Sequence, residues 1–319
     1  MLRHYDSLGL VRPTGRTHAG YREYSGEDIR RIFHIEGLRS LGLSLREVKR
    51  AFDDPGFQPS ELVDDLIRRS RERIASETEL LTRLRRIGAA EPADWEDALH
   101  TVALLHALGS QSAGKRQRAA LSAVQEVPVP VDALVEAALS ETDPNVSGAL
   151  RWALAQSGDG ALTLLAEGLG SPVAEVRERA VQSIAEIPGG EATALLRDAL
   201  ANPDIAVRRC AALALGARGA ADAVPTLIDM IVEEANDADA ADALSALAND
   251  SALRDHIATS IVDCLAHRTR KPSARRWLAQ ALADIPGTTA SRALADLSHD
   301  EDRAVALTAT YILKLRNAR

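Results

Sequence analysis

Three arginines, Arg12, Arg16 and Arg22, lie among the turn-forming residues Pro13-Thr14-Gly15 and Ala19-Gly20. A hairpin tip rich in arginine and small residues can lie along a phosphate backbone and donate hydrogen bonds without reading base sequence. Residues 1–50 hold ten Lys and Arg against six Asp and Glu, while the whole chain carries a formal net charge of −8. A basic head on an acidic body fits a polyanionic partner, although so modest an excess also fits a solvated surface. No catalytic constellation accompanies it. His256 and His267, beside Asp255 and Asp263, have a spacing that suits neither a nucleophilic triad nor a metal site. A Gly-rich phosphate loop and a His-Glu-x-x-His pair are both missing from the sequence. The expectation is a protein that is not an enzyme and has no cofactor or metal. Cys210 and Cys264, far apart in Ala/Leu-rich context, read as small buried thiols of a reducing compartment.

The arginines need a scaffold, and the punctuation of the first 53 residues supplies one. Leu2 to Ser7 reads as the end of a helix stopped near Gly9. Val11 to Tyr24 has hairpin signals, with period-two alternation over Tyr21-Arg22-Glu23-Tyr24. Ser25 and Asp28 have capping-box spacing, and Ile29, Ile32, Phe33 and Leu38 follow on one helical face up to Gly42. Ser44 and Glu47 open a second, shorter helix through Phe52. Helix, hairpin, helix, helix is the order of a winged helix-turn-helix without its first helix. Arg30 and Arg31 read as a solvated helix face, and Tyr24 as packing between hairpin and helices.

Five short stretches in this order, Leu2-Arg3-His4-Tyr5-Asp6, Leu8-Gly9-Leu10-Val11, Gly20-Tyr21-Arg22-Glu23-Tyr24-Ser25, Leu38-Arg39-Ser40-Leu41-Gly42 and Ser44-Leu45-Arg46-Glu47, resemble the DNA-binding domain of MerR-family transcription regulators. The resemblance covers about fifty residues. It implies that Arg3, His4 and Tyr5 match the end of the recognition helix, with His4 where the family has Tyr. Arg22 matches the wing arginine, and Arg39 a basic residue near the DNA backbone. With Arg12, Arg16 and Tyr21 these make the expected DNA-binding set. The family pattern normally begins roughly fifteen residues earlier, and base readout resides in that missing front half. The expectation is therefore a start upstream of Met1; a genuine loss of the first helix would weaken direct base readout.

Residues 61–87 are rich in Glu, Arg and Leu without Pro and with no Gly. Val63, Ile67, Ser70, Ile74, Glu77, Leu81 and Leu84 advance in alternating four- and three-residue steps, a coiled-coil seam weakened by Ser70 and Glu77. A single docked amphipathic helix fits the same pattern. The resemblance favours dimerisation here, through Ile67, Ile74, Leu81 and Leu84, because the family pairs by an antiparallel helix at this place. Metal-sensing relatives carry Cys ligands at the end of that helix. None occurs between residues 60 and 120, which excludes soft-metal sensing by thiolates there.

Repetition organises the rest. Val124, Leu154, Ile184 and Leu215 advance by 30, 30 and 31 residues, and Leu139, Leu169, Leu200 and Ile231 keep the same steps. In the unit at 171, Val176, Ala180, Ile184 and Ile187 form one apolar stripe, and Leu195, Leu196, Ala199 and Leu200 a second. Asp143-Pro144, Ser171-Pro172 and Asn202-Pro203 each read as a cap before a proline at the first helical position. Pro188-Gly189 and Pro286-Gly287 read as stops. Residues 233–270 depart from the period. The segments from Val176, Val207 and Ala274 share a Val-Arg-like core and resemble HEAT repeats of the short class. Their recurrent Arg177, Arg208 and Arg275 could form an anion-binding row, but the structural reading is stronger: bonds to neighbouring units, with Asp198 and Asp229 as natural partners.

The fold class expected is mostly α: a winged helix-turn-helix remnant (1–53), a coiled-coil dimerisation helix (58–90), a connecting helix (91–112) and a HEAT-repeat α-solenoid (113–316). No apolar run is long enough to span a membrane and the N-terminus carries early charge, so the expected location is cytoplasmic. The resemblance implies a homodimeric regulator of double-stranded promoter DNA. Its partners would be RNA polymerase at the promoter and a protein ligand on the solenoid, with no membrane. A HEAT interaction scaffold that has lost DNA binding is the rival. An enzyme related to solenoid DNA glycosylases or lyases lacks a defined site.

Overall fold

The structure, a computed structural model, describes residues 1–54, 56–123, 130–157, 160–269 and 271–318. These form eighteen α-helices, two 3-10 turns and a two-stranded ladder. The fold is mostly α. It divides into two compact units, Met1–Leu84 and Arg85–Arg319.

In the first unit, α1 (Leu2–Ser7) ends at Leu8, and Gly9 takes φ +69°, a left-handed turn that glycine adopts without steric cost. The hairpin pairs β1 (Gly15–Arg16) with β2 (Arg22–Glu23), Gly15 facing Glu23 and Arg16 facing Arg22. Two capping boxes then start α2 (Gly26–Ser40) and α3 (Leu45–Asp53) where the sequence places them. Asp28 N donates to Ser25 Oγ at 3.2 Å and Ser25 N donates to Asp28 Oδ2 at 2.8 Å. Glu47 N and Ser44 Oγ repeat the first bond at 3.3 Å, and Ser44 N and Glu47 Oε2 the second at 2.8 Å. Each box satisfies two amides that a helix start would leave free.

Tyr5, Leu10, Val11, Ile35, Leu43 and Val48 form the core of this unit, with Ile32, Leu38 and Leu66 partly buried against it. The face expected on α2 splits. Ile32 and Leu38 pack inward around the fully buried Ile35, while Ile29 and Phe33 point to solvent. The inward stripe runs 32, 35, 38, and Phe33 is one residue off it. The long helix α4 (Pro59–Ala89) follows and buries none of its residues fully.

The second unit is a two-layered stack. α6 (Ala113–Ser122), α8 (Pro144–Gln156), α10 (Ala174–Glu186), α12 (Ile205–Ala217), α14 (Asp237–Leu247), α16 (Pro272–Ala281) and α18 (Arg303–Asn317) pack each on the next. The alternate helices each pack on the member that follows: α5 (Trp95–Leu108) on α6, α7 (Val131–Ser140) on α8, α9 (Gly160–Leu169) on α10, α11 (Gly190–Ala199) on α12, α13 (Val224–Val232) on α14, α15 (Ser251–His267) on α16, and α17 (Thr288–Leu297) on α18. Of the second register only Ile231 is fully buried, while Leu139, Leu169 and Leu200 are partly buried; in the first, Leu154, Ile184 and Leu215 are all fully buried. Val124, the first member of that register, lies outside the described residues. Spacing is close: a Cβ on Gly216 would meet the Cβ of Ala243 on α14 at 3.0 Å.

The punctuation needs correction at two of its three proline sites. Asp143 caps α8 with Pro144 inside the first turn, as expected. α10 instead starts after Val173, and α12 is capped by Asp204. Ser171 and Asn202 bond the backbone amides of Val173 and Asp204 and so shape the approach, not the helix start itself. Gly189 and Gly287, with φ of +111° and +114°, stand at the N-caps of α11 and α17. They turn the chain into the second helix after the first has already ended.

Recurrent arginines tie the stack together, through other acids than expected. Arg177 donates to the Ser171 carbonyl at 2.7 Å and to Asp204 Oδ2 at 2.6 Å. Arg116 does the same with Ser110 O at 2.9 Å and both oxygens of Glu141. Arg275 reaches Asp300 and the carbonyls of Leu265 and Thr269. Arg208 and Arg254 bond the carbonyls of Asn202 and Ala248, again six residues back. Asp229 pairs with Arg268 instead, and the loop acids one unit onward take the place assigned to Asp198 and Asp229. They sit at the loop, where the arginine points. A second set caps helix ends: Arg218 donates to the carbonyls of Ile184, Ala185 and Ile187, and Arg316 to those of Leu282, Ala283 and Ile285.

Glu141 is 7% exposed. The Arg116 guanidinium, and then the amides of Asp143 and Thr142, hold its carboxyl below the ordinary value against the opposing effect of burial. Arg116→Met removes the ionic partner of that buried charge and leaves it only the Thr142 and Asp143 amides, at a cost on the order of 3 kcal/mol. A lowered folded pKa contributes stability above the unfolded value that is lost as pH falls through the folded one. Thermal melts should therefore show the variant well below the parent at pH 7, with the gap narrowing below about pH 4.

Candidate nucleic-acid interface

The eight residues of the expected DNA-binding set divide into an open group and a committed group. Arg3 and His4 are exposed on α1, Arg12 is exposed ahead of the hairpin, and Arg16 is exposed on β1. Tyr21, 74% exposed, stands just before β2. Among the described residues no hydrogen bond or ion pair engages the side chains of Arg3, Arg12 or Arg16. A guanidinium carries five donors and stays charged, so these three are satisfied by solvent or by a ligand.

Tyr5 is a different kind of residue. It is 1% exposed, and its hydroxyl donates to the Glu36 carboxylate and accepts from Arg39 Nη1 at 3.1 Å. Burial, reinforced by Glu36, raises the phenol above its usual pKa. Tyr5 thus pins α1 to α2. Arg39 is partly spent on that network and on Glu36. Arg22 pairs with Asp6 at 3.3 Å, tying the second strand to α1, and its Nε is buried without a partner. Tyr5, Arg22 and Arg39 therefore set the geometry in which Arg3, Arg12 and Arg16 are presented.

Other cations have structural work that their sequence context did not reveal. Arg31 donates Nε to the Leu10 carbonyl at 2.6 Å and lies over Phe52 at 4.7 Å from the ring centroid, so it is not a solvated face. Lys49 Nζ donates to the Leu8 carbonyl at 2.9 Å and closes the turn after α1. Arg46 and Arg50, on either side of it, line an open hollow with Asp53 and Asp54. Their four-residue spacing on α3 was the available signal. Tyr24 packs on the core of the head as expected.

The seam of α4 is on the surface. Val63, Ile67, Ile74, Leu81 and Leu84 are all exposed, as is Leu80. Arg69 of α4 donates to Glu47 of α3 at 2.7 Å and bonds Asp65 at 2.8 Å, which fixes where the seam starts relative to the head. In the second unit the thiols are quiet: burial pushes Cys210 up to about 11 and raises Cys264. Among the described residues no His, Cys, Asp and Glu side chains cluster as metal ligands, and no helix is long and apolar enough to cross a membrane.

Residues 1–54 match the MerR HTH family regulatory proteins, and residues 162–248 match HEAT repeats. The chain joins a MerR-type helix-turn-helix segment to a HEAT-repeat region. Over 58 residues, 18% of the chain, it is 47% identical to the HTH-type transcriptional activator TipA of Streptomyces coelicolor, covering 23% of that protein. Over 84 residues, 26% of the chain, it is 38% identical to the nodulation protein NolA of a Bradyrhizobium species, covering 33% of it. The chain thus spans no more than a third of these curated relatives. Human deoxyhypusine hydroxylase aligns over 78% of this chain and 99% of its own at 19% identity, with a TM-score of 0.32.

Glu47 links the capping box to α4. Its carboxyl is lowered to about 2, first by Arg69 and then by Ser44. NMR titration of the side-chain carboxyls should find Glu47 near that value. Arg69→Ala should move it back toward the ordinary glutamate range, and the stability it adds should vanish as pH drops through its own midpoint.

Proposed function

We propose that the chain is a DNA-binding transcriptional regulator of the MerR type. The observation that carries this reading is the open trio Arg3, Arg12 and Arg16, presented without internal partners on the segment that matches the family. With His4 and Tyr21 they contact the phosphate backbone and the edge of the groove. Tyr5, Arg22 and Arg39 hold them in place. Two copies associate along α4 through Ile67, Ile74, Leu81 and Leu84, giving a two-fold dimer that matches a palindromic site. Distortion of the duplex contributes energy and specificity, so that RNA polymerase engages both promoter elements. The HEAT repeats receive a protein signal, since a helical stack offers extended surfaces. It works in the cytoplasm and is not an enzyme.

The relatives named as transcription regulators support this reading over a scaffold that has lost DNA binding. Electrophoretic mobility shifts at two salt concentrations separate the two. Full-length protein should bind duplex DNA with affinity that falls steeply as salt rises. Arg12→Ala and Arg16→Ala should each weaken binding on all sequences alike and reduce the slope of log affinity against log salt by about 1. Salt-insensitive or undetectable binding would favour the scaffold.

The dimer has its own test. A single charge in the seam, Ile74→Lys, should halve the mass measured by sedimentation equilibrium while leaving the helical circular dichroism intact. An unchanged mass would remove α4 as the dimer contact.

A further inference from the structure

One helix of the second unit is apolar on two opposite faces. On α5 Thr101 and Leu108 are buried, and Leu104 packs on the core of the stack. The other face carries Trp95, Leu99, Val102 and His106, at steps of four, three and four residues. Trp95, Leu99 and Val102 are 84%, 63% and 38% exposed, and His106 is exposed as well. Alternating steps of that kind make the seam of a helix pair. The other helices of this layer do not share it. Arg116, Arg177 and Arg208 each bond the carbonyl six residues back, at Ser110, Ser171 and Asn202, which aligns the helix that precedes each. Where α5 has Leu99, Val102 and His106, α9 has Gly160, Thr163 and Glu167, and α11 has Glu191, Ala194 and Asp198, all of them exposed. Among the described residues, α7, α9, α11, α13, α15 and α17 expose no large apolar side chain. The stripe on α5 is thus no by-product of the repeat, and an exposed apolar stripe of this kind marks a contact site.

The stripe is its own complement. Its steps read the same in both directions, so a second α5 laid antiparallel sets Leu99 against Val102 of the second copy, and Trp95 against His106 of the second copy, twice over. Ala98 and Ala103 flank the seam and let the two helices approach closely. Charge selects the same direction. Asp94, Glu96 and Asp97 crowd the N-terminal turn, and His106 lies in the C-terminal one. Glu96 and His106 have no side-chain partner among the described residues. A parallel pair would set the three acids of one copy against the same three of the other. The antiparallel pair separates them and brings each acidic turn to a histidine, with helix ends of opposite dipole side by side.

We propose that α5 of one copy pairs antiparallel with α5 of a second copy, a two-fold contact through the helical stack. The contact is isologous, the same patch on both chains, and it satisfies itself in a pair. One helix face is a small interface, so the association is weak and grows with concentration. It is independent of the seam on α4 and of DNA binding; where both contacts form, two α4 dimers join.

The test is sedimentation velocity of the full-length chain over a concentration series, in the parent and in an Ile74→Lys background that scores the α4 seam separately. A doubling of mass that grows with concentration is expected in both. Trp95→Lys and His106→Glu should each abolish it and leave the helical circular dichroism unchanged, because both side chains are exposed. Placing both substitutions in one chain should restore the doubling, since each lysine then meets the glutamate of the other copy. A mixture of the two single variants should associate where neither does alone. Absence of the doubling in the parent, or no recovery in the double variant, would overturn the proposal. So would loss in Trp95→Lys with none in His106→Glu, which would mean that a different segment, such as the α4 seam of another copy, covers Trp95. If Ile74→Lys leaves the mass unchanged, the α4 dimer falls and the α5 contact stands on the charge exchange alone.

Discussion

The guanidinium that must find acceptors is the interaction on which this molecule depends. It stays charged at all relevant pH, and its five donors are costly to bury unpaired. A pair of short helices with two apolar stripes cannot hide both and is stable only against neighbours. Hydrophobic burial brings the helices together without fixing their order or spacing. Arg116, Arg177 and Arg275 supply that register, each binding a carbonyl six residues back and an acid in the following unit. Arg218 and Arg316 complete it by closing the exposed carbonyl ends of the preceding stacked helix.

The head follows the same rule with a different outcome. Arg22, Arg31 and Arg39 are bound to Asp6, Leu10 and Tyr5 and make a small core rigid. Arg3, Arg12 and Arg16 receive no such partner. Arginine serves mostly for internal ties here, and these three, with Arg30, Arg46 and Arg50 of the same head, have no side-chain partner among the described residues. Their neighbours are committed, so the open ones are held in a fixed arrangement, which lowers the entropy cost of engaging a regular array of phosphates.

Much of this was legible in the residues. Both capping boxes, the stop near Gly9 and the long fourth helix stand where short-range chemistry places them, because each depends on contacts within about five residues, and the hairpin follows from turn residues that bring partners six to nine residues apart together. The 30-residue register of Leu154, Ile184 and Leu215 was equally plain. Long-range partners were not. Nothing near Arg177 points to Asp204 rather than Asp198, since the choice depends on how far the loop of the next unit reaches. Arg31 looked like surface because its acceptor, the Leu10 carbonyl, has no side-chain signature. Tyr5 sits in a stretch that reads as DNA contact, and only packing reveals that its hydroxyl faces Glu36. The proline sites misled by two residues because Ser171 and Asn202 cap a turn that precedes the helix.

The division between tied and open arginines in the head is measured most directly by modification with an arginine-selective dicarbonyl, with and without duplex DNA at low salt, followed by peptide mass analysis. Free protein should react quickly at Arg3, Arg12 and Arg16 and slowly at Arg22 and Arg31. Duplex DNA should protect the first three and leave the slow pair unchanged. Equal reactivity at all five, or fast sites indifferent to DNA, would contradict the account.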